Sequence, residues 1–155
     1  MARALGWESH AEGTSPPRFA LPPTTLERLV ADMKAKLQVR SMRVVGEPGL
    51  RVRRVAASWG YASLMPRVIE VAARPDVDVI IVGETREWEL VEYVQDMISS
   101  GLKKGLIVMG HVVSEQSGMR YCAEWLRPFI PEVPVEFVAA EEPFWLPGNP
   151  VTAAI

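Results

Sequence analysis

Two short apolar runs, Asp78-Val79-Ile80-Ile81-Val82 and Leu106-Ile107-Val108-Met109, each break off at a glycine and are each followed by a stretch of helical spacing. Runs this short and this continuously apolar mark strands buried on both faces. Strand and helix in alternation lead to a largely parallel sheet, because parallel neighbours need a crossover and a helix supplies it. The rest of the chain is read around that core. Thr25 caps a helix in which Leu26, Leu29, Val30, Met33 and Leu37 share one face. Met42 to Val45 and Val52 to Ser58 are strand-like runs separated by Glu47-Pro48-Gly49, a turn signal that predicts a hairpin. Helices are expected over Leu64 to Ala73, Arg86 to Ser99 and Glu115 to Arg127, and a last strand over Val135 to Val138. The fold class is α/β: a largely parallel or mixed sheet with helices packed on its faces, the N-terminal hairpin adding antiparallel strands.

The 155 residues suffice for one ordinary core. Residues 1–22 mix Gly, Ser, Pro and charges without a period, and are expected to be loop or partly disordered; 23–146 form the single α/β domain, and the Pro-, Gly- and Ala-rich 147–155 a flexible tail. A formal charge of −2 offers no basic field for a phosphate backbone, so no DNA-binding patch is expected. The one cysteine, Cys122, cannot form an internal disulfide, which fits a reducing compartment. The first 23 residues lack the pattern of a signal peptide, and no window approaches the roughly 20 apolar residues of a membrane span. The expectation is a cytoplasmic protein outside the membrane.

In open α/β sheets, ligands bind beyond the carboxyl ends of the strands, so the loops there carry the candidate chemistry. Gly110-His111-Val112-Val113-Ser114-Glu115 is the sharpest of them. Gly110 lets the chain turn tightly out of a buried strand and leaves His111 at the edge of the sheet. Glu115 follows four residues later, so a connection already turning helically brings imidazole and carboxylate together. That donor pair suits zinc, manganese or iron better than calcium or magnesium. The plain alternative is a dipole-complementing glutamate behind an N-capping Ser114. Glu84, directly after the strand ending at Gly83, is the second candidate, against a solvated start to an acidic helix containing Glu87, Glu89 and Glu92. Trp59-Gly60-Tyr61 could stack a planar ligand, make a close backbone approach or simply close one end of the core. Nucleotide fingerprints and a nucleophile elbow are absent, and two histidines with one cysteine cannot build a Cys/His zinc cage.

These residues resemble a known family: the Ngg-one-interacting-factor-three-like, dinuclear-metal-centre proteins, also called type 2 homologues of GTP cyclohydrolase I. The similarity runs from about Leu21 to Trp145 and looks like the family's C-terminal portion. Its most specific element is Gly110 to Glu115, similar to the family's GHxxxE, which implies His111 and Glu115 as metal ligands. The strand ending Gly83-Glu84 is similar to one lying beside the family's centre, which implies a catalytic part for Glu84. Val55 to Tyr61 and Glu142-Pro143-Phe144 resemble two further family segments. The resemblance implies a divalent-metal-dependent hydrolase acting on nucleotide-like or phosphate-containing substrates, and a ring-shaped hexamer. The alternative is a non-catalytic oligomerisation or protein-interaction module. This chain departs from the family where an N-terminal half with paired histidines and a further Asp would supply the other ligands, and where Glu87 and Trp88 replace histidines. Two explanations fit: a fragment or separately encoded half whose N-terminal partner lies elsewhere, or a diverged domain that binds metal poorly.

Overall fold

The computed structural model describes residues 1–14, 16–61, 65–142, 144 and 147. Its sheet has six strands: β1 (Ala11–Thr14), β2 (Pro17–Thr25), β3 (Arg43–Val45), β4 (Arg51–Tyr61), β5 (Val79–Glu84) and β6 (Gly105–Val108), in the spatial order β1-β2-β4-β5-β6-β3. The centre, β4-β5-β6, is parallel, as the alternating pattern requires, and β1, β2 and β3 pair antiparallel. The fold is therefore a mixed α/β sheet. Five helices flank it: α1 (Ala2–Leu5), α2 (Leu26–Leu37), α3 (Met65–Ala73), α4 (Glu92–Ser99) and α5 (His111–Leu126).

β5 shows how the sheet separates two cores. Its side chains alternate, Val79 and Ile81 facing α1 and α2, Ile80 and Val82 facing α3 and α4. The first core also takes Leu5, Trp7, Phe19, Leu29 and Met33; the second takes Val68, Ala72, Val94 and Met97. Thr25 caps α2 as its sequence demands, its side chain accepting from the Arg28 N–H at 3.3 Å. A π-helical turn, Glu87–Val91, leads into α4, so the helix expected over 86–99 is present with an irregular first turn. Lys104 is buried, its ammonium donating to the carbonyls of Arg74 and Val77 at 2.5 Å each, and burial lowers its pKa.

Three expectations are corrected. Residues 1–22 are not loop: α1, β1 and most of β2 lie there, and Leu5, Trp7 and Phe19 anchor them in the first core. The prolines that disguise β2 are accommodated by a register shift between Ala20 and Thr24, where Pro22 and Pro23 owe the ladder no N–H. The hairpin of 42–58 does not form; β3 crosses to pair with β6, while β4 pairs with β2 and β5. The antiparallel hairpin is β1–β2 instead. The last strand over 135–138 is absent, because β3 already occupies the free edge of β6 and Pro131 and Pro134 weaken any ladder. That stretch runs back along α5: Arg127 donates to the Val135 carbonyl at 3.0 Å, Arg120 lies over the Phe137 ring, and the Ala140 N–H reaches Gln116 at 2.8 Å. Ala62, Ser63, Pro143, Trp145 and the tail 148–155 lie outside the described residues. Among the described residues no helix is long and apolar enough to cross a membrane.

Candidate metal half-site

The parallel strands β4, β5 and β6 bring three glycines, Gly60, Gly83 and Gly110, to one edge of the sheet. Gly110 has φ +98°, which turns the chain out of β6 directly into α5. The helix therefore begins at His111, a turn earlier than its sequence predicts. Ser114 is not its N-cap, and Glu115 sits beyond the first turn, where complementing the helix dipole is worth little.

The early start places His111 and Glu115 on one helical face at i and i+4. Nε2 of His111 lies 3.2 Å from Oε2 of Glu115, and Nδ1 lies 3.0 Å from Oε2 of Glu84 at the end of β5. The three residues singled out in the sequence thus meet in one array, the imidazole between two carboxylates. All three are about half exposed, so the pairs stabilise the fold by about 0–1 kcal/mol at most. Folding alone gives little reason to hold two carboxylates against one ring.

The donors fit part of a metal site. Ligands about 2.0–2.2 Å from an ion at a tetrahedral angle stand ~3.3 Å apart, close to the separation of His111 Nε2 and Glu115 Oε2. Glu84, on the opposite edge of the ring, is placed to accept the other N–H and fix the tautomer, as carboxylates beside ligating histidines do. Because the two carboxylates meet opposite nitrogens, they do not share one ion. Among the described residues no group of three or more His, Cys, Asp or Glu side chains is placed to hold one. His111 and Glu115 make two donors, and an ion needs more.

A cavity of about 650 Å³ opens on the Glu84 side of the ring, a size usual for ligand sites. Met42, Met109 and Val113 give it apolar walls, and Glu84, Thr85 and His111 its polar side. Thr85 is buried, and its hydroxyl has no hydrogen-bond partner among the described residues. Glu142 closes another wall. Its carboxylate accepts from the N–H groups of Arg40 (2.8 Å) and Ser41 (2.7 Å), from the Ser41 hydroxyl and from the Arg40 guanidinium. Burial pushes this carboxyl up, and those hydrogen bonds outweigh the burial and hold it below the usual carboxylate range. Glu87 pairs with Arg43 and is not part of the array. Trp59 packs against the first core, the plainest of the readings for this loop.

Beneath α5, the Ser114 hydroxyl accepts from the Gly60 N–H at 2.9 Å and donates to the His111 carbonyl at 2.7 Å. Reasoning from sequence allowed a close backbone approach at Gly60 and named Ser114 only as an N-cap; it missed the seat Ser114 makes on β4, the buried Thr85 hydroxyl and the anchoring of Glu142. The last three depend on contacts across 54 to 102 residues or on burial, which local pattern does not report.

The sequence matches the Duf34/NIF3 (NGG1p interacting factor 3) family over residues 18–143. The chain belongs to that family. Among solved structures it is similar to protein ybgI, described as of unknown function, at 26% identity and TM-score 0.67, covering 92% of this chain and 55% of that one. It is also similar in fold to Staphylococcus aureus protein SA1388 (22% identity, TM-score 0.62, 84% and 41% covered). A third is a Bacillus cereus protein related to NIF3 (22%, TM-score 0.61, 84% and 35% covered). The chain thus spans between 35% and 55% of the length of these relatives. A comparison with curated proteins found no significant match.

Proposed function

We propose that this chain supplies half of a divalent-metal centre in a metal-dependent hydrolase of phosphate-containing or nucleotide-like substrates, the remaining ligands coming from another polypeptide segment. The observation that carries the reading is the imidazole of His111 set between Glu115 and Glu84 at 3.2 and 3.0 Å. His111 Nε2 and Glu115 would hold zinc, manganese or iron, and Glu84 would orient the ring through Nδ1 and, from the cavity side, be placed to accept a proton from a water. A divalent ion held there would supply Lewis acidity toward a phosphate oxygen. The chain's place in the Duf34/NIF3 family accords with the resemblance from which this class is taken, and the chain spans 55% of protein ybgI. The unpaired Cys122 is consistent with a cytoplasmic setting.

The test is metal content by plasma mass spectrometry after purification without chelator, wild type beside His111→Ala/Glu115→Ala. Zinc, manganese or iron lost in the double variant supports the site and leads to hydrolysis assays. Metal-free wild type means that this chain alone does not hold an ion.

A second reading, an assembly module, is favoured by the outer face of α5 and the turn after it. Tyr121, Trp125 and Phe129 are all more than half exposed there, and the last two rings pack on each other at 4.9 Å between centroids. Exposed aromatic rows of this kind suit subunit contacts, with a homo-oligomer as the assembly.

A further inference from the structure

We infer that the Ser114 hydroxyl is the positioning element of the half-site: it locks the first turn of α5 to the end of β4, and the aim of His111 and Glu115 depends on it. Only the metal-binding arm of the test below rests on the proposed function.

Ser114 is 3% exposed, and its hydroxyl is used twice, as acceptor for Gly60 and as donor to His111. The β4–β5 register shifts between Ser58 and Tyr61, and Gly60 falls in that irregular stretch at φ +68°. Its N–H points at α5, and Ser114 satisfies it. The seat is built to size. A Cβ on Gly83 would collide with the Ser114 hydroxyl and with the Gly60 backbone, so the helix rests on bare strand. Gly83 in turn accepts from the Gly110 N–H at 2.8 Å, which fixes the start of the helix from the neighbouring strand.

Helical geometry converts this seat into aim. At ~100° per residue, His111 and Glu115 project on the same side of Ser114, about 40° apart around the axis. A roll of α5 about its axis therefore moves both side chains together, away from Glu84 on β5 and from the Gly60 turn. Apart from the His111–Glu84 contact itself, two hydrogen bonds among the described residues oppose that roll at this end of the helix: Gly60–Ser114 and Gly83–Gly110. Of these two, only the first involves a side chain of α5 that is not itself part of the array.

The test uses the full chain, stripped of metal, at one fixed pH, with nitrogen-15 imidazole spectra of His111 as readout. Wild type is expected to show one sharp set of imidazole resonances, the ring held between Glu84 and Glu115. Ser114→Ala is expected to shift and broaden that set, and Ser114→Cys, which keeps a weaker donor and acceptor, to give an intermediate pattern. Val94→Ala, a truncation in the second core, lowers Tm and leaves the His111 spectrum unchanged. In the metal arm, cobalt(II) titration of the same proteins should give affinity weaker by on the order of 10-fold or more in Ser114→Ala. Wild-type imidazole spectra in both Ser114 variants overturn the inference. If Ser114→Ala does not fold, Ser114→Cys carries the comparison. If wild type takes up no cobalt, this chain alone does not hold an ion, while the imidazole spectra still decide the role of Ser114.

Discussion

Gly60 of β4 lies directly beneath Glu115 of α5, so close that a Cβ on the glycine would collide with the carboxylate oxygen. Gly60 also holds φ +68°, a region in which an L side chain costs about 1–2 kcal/mol. Gly60→Ala is therefore expected to lower Tm by about 2–8 °C in a chain of this size and to displace Glu115 from His111. Calorimetry reads the first effect and metal content the second. An alanine variant with unchanged Tm and metal content would show that the turn relaxes freely.

Glu84→Gln keeps the shape of the side chain and removes its charge. The amide oxygen still accepts from the imidazole N–H, but less strongly than a carboxylate. Metal affinity is expected to fall by about 10- to 100-fold with the Tm nearly unchanged, since the pair is half exposed. Equal affinity in the two proteins, measured by competition with a chelator, would remove Glu84 from the site.

Glu142 ties the end of the described chain to the Arg40–Ser41 loop with its side chain only 11% exposed. Its folded carboxyl titrates below the ordinary range, so the tie is fully present above the unfolded value of about 4.3 and is lost as pH falls through the lower folded value. Glu142→Gln should remove this acid-side loss and lower stability at neutral pH by about 1–3 kcal/mol. Denaturant melts of both proteins from neutral pH into the acid range supply the comparison. Parallel curves for the two would contradict it.

Trp125→Glu/Phe129→Glu places two charges on the exposed end of α5 and the turn that follows. If that face joins subunits, light scattering at micromolar concentration should show wild type as an oligomer and the variant dissociated. A wild-type monomer would set the assembly reading aside.

The parallel centre was legible because β5 and β6 must be apolar on both faces, and no other element of this length reads that way. α2 was legible from its cap and stripe. His111, Glu115 and Glu84 were legible as candidates because each follows a strand end; their convergence was legible only conditionally, since it required α5 to begin at Gly110. The N-terminal elements were hidden because their anchors, Leu5, Trp7 and Phe19, are single apolar residues in a proline- and glycine-rich background. The pairing of β3 with β6 was hidden because partners some 60 residues apart leave no mark on local pattern. Residues 135–138 misled for the opposite reason: Val135 and Phe137 do alternate inward, but against a helix and not a sheet.

The tie between Glu142 and Arg40 has a kinetic consequence. Closing the loop of about a hundred residues between Arg40 and Glu142 requires chain made after Leu126, whereas the parallel centre and α5 need nothing beyond it. During synthesis the helix bearing His111 and Glu115 can seat on its strands while the wall of the neighbouring cavity is still unmade. The array therefore matures before the chamber it faces, and a newly made chain presents Glu84 and His111 to open solvent first.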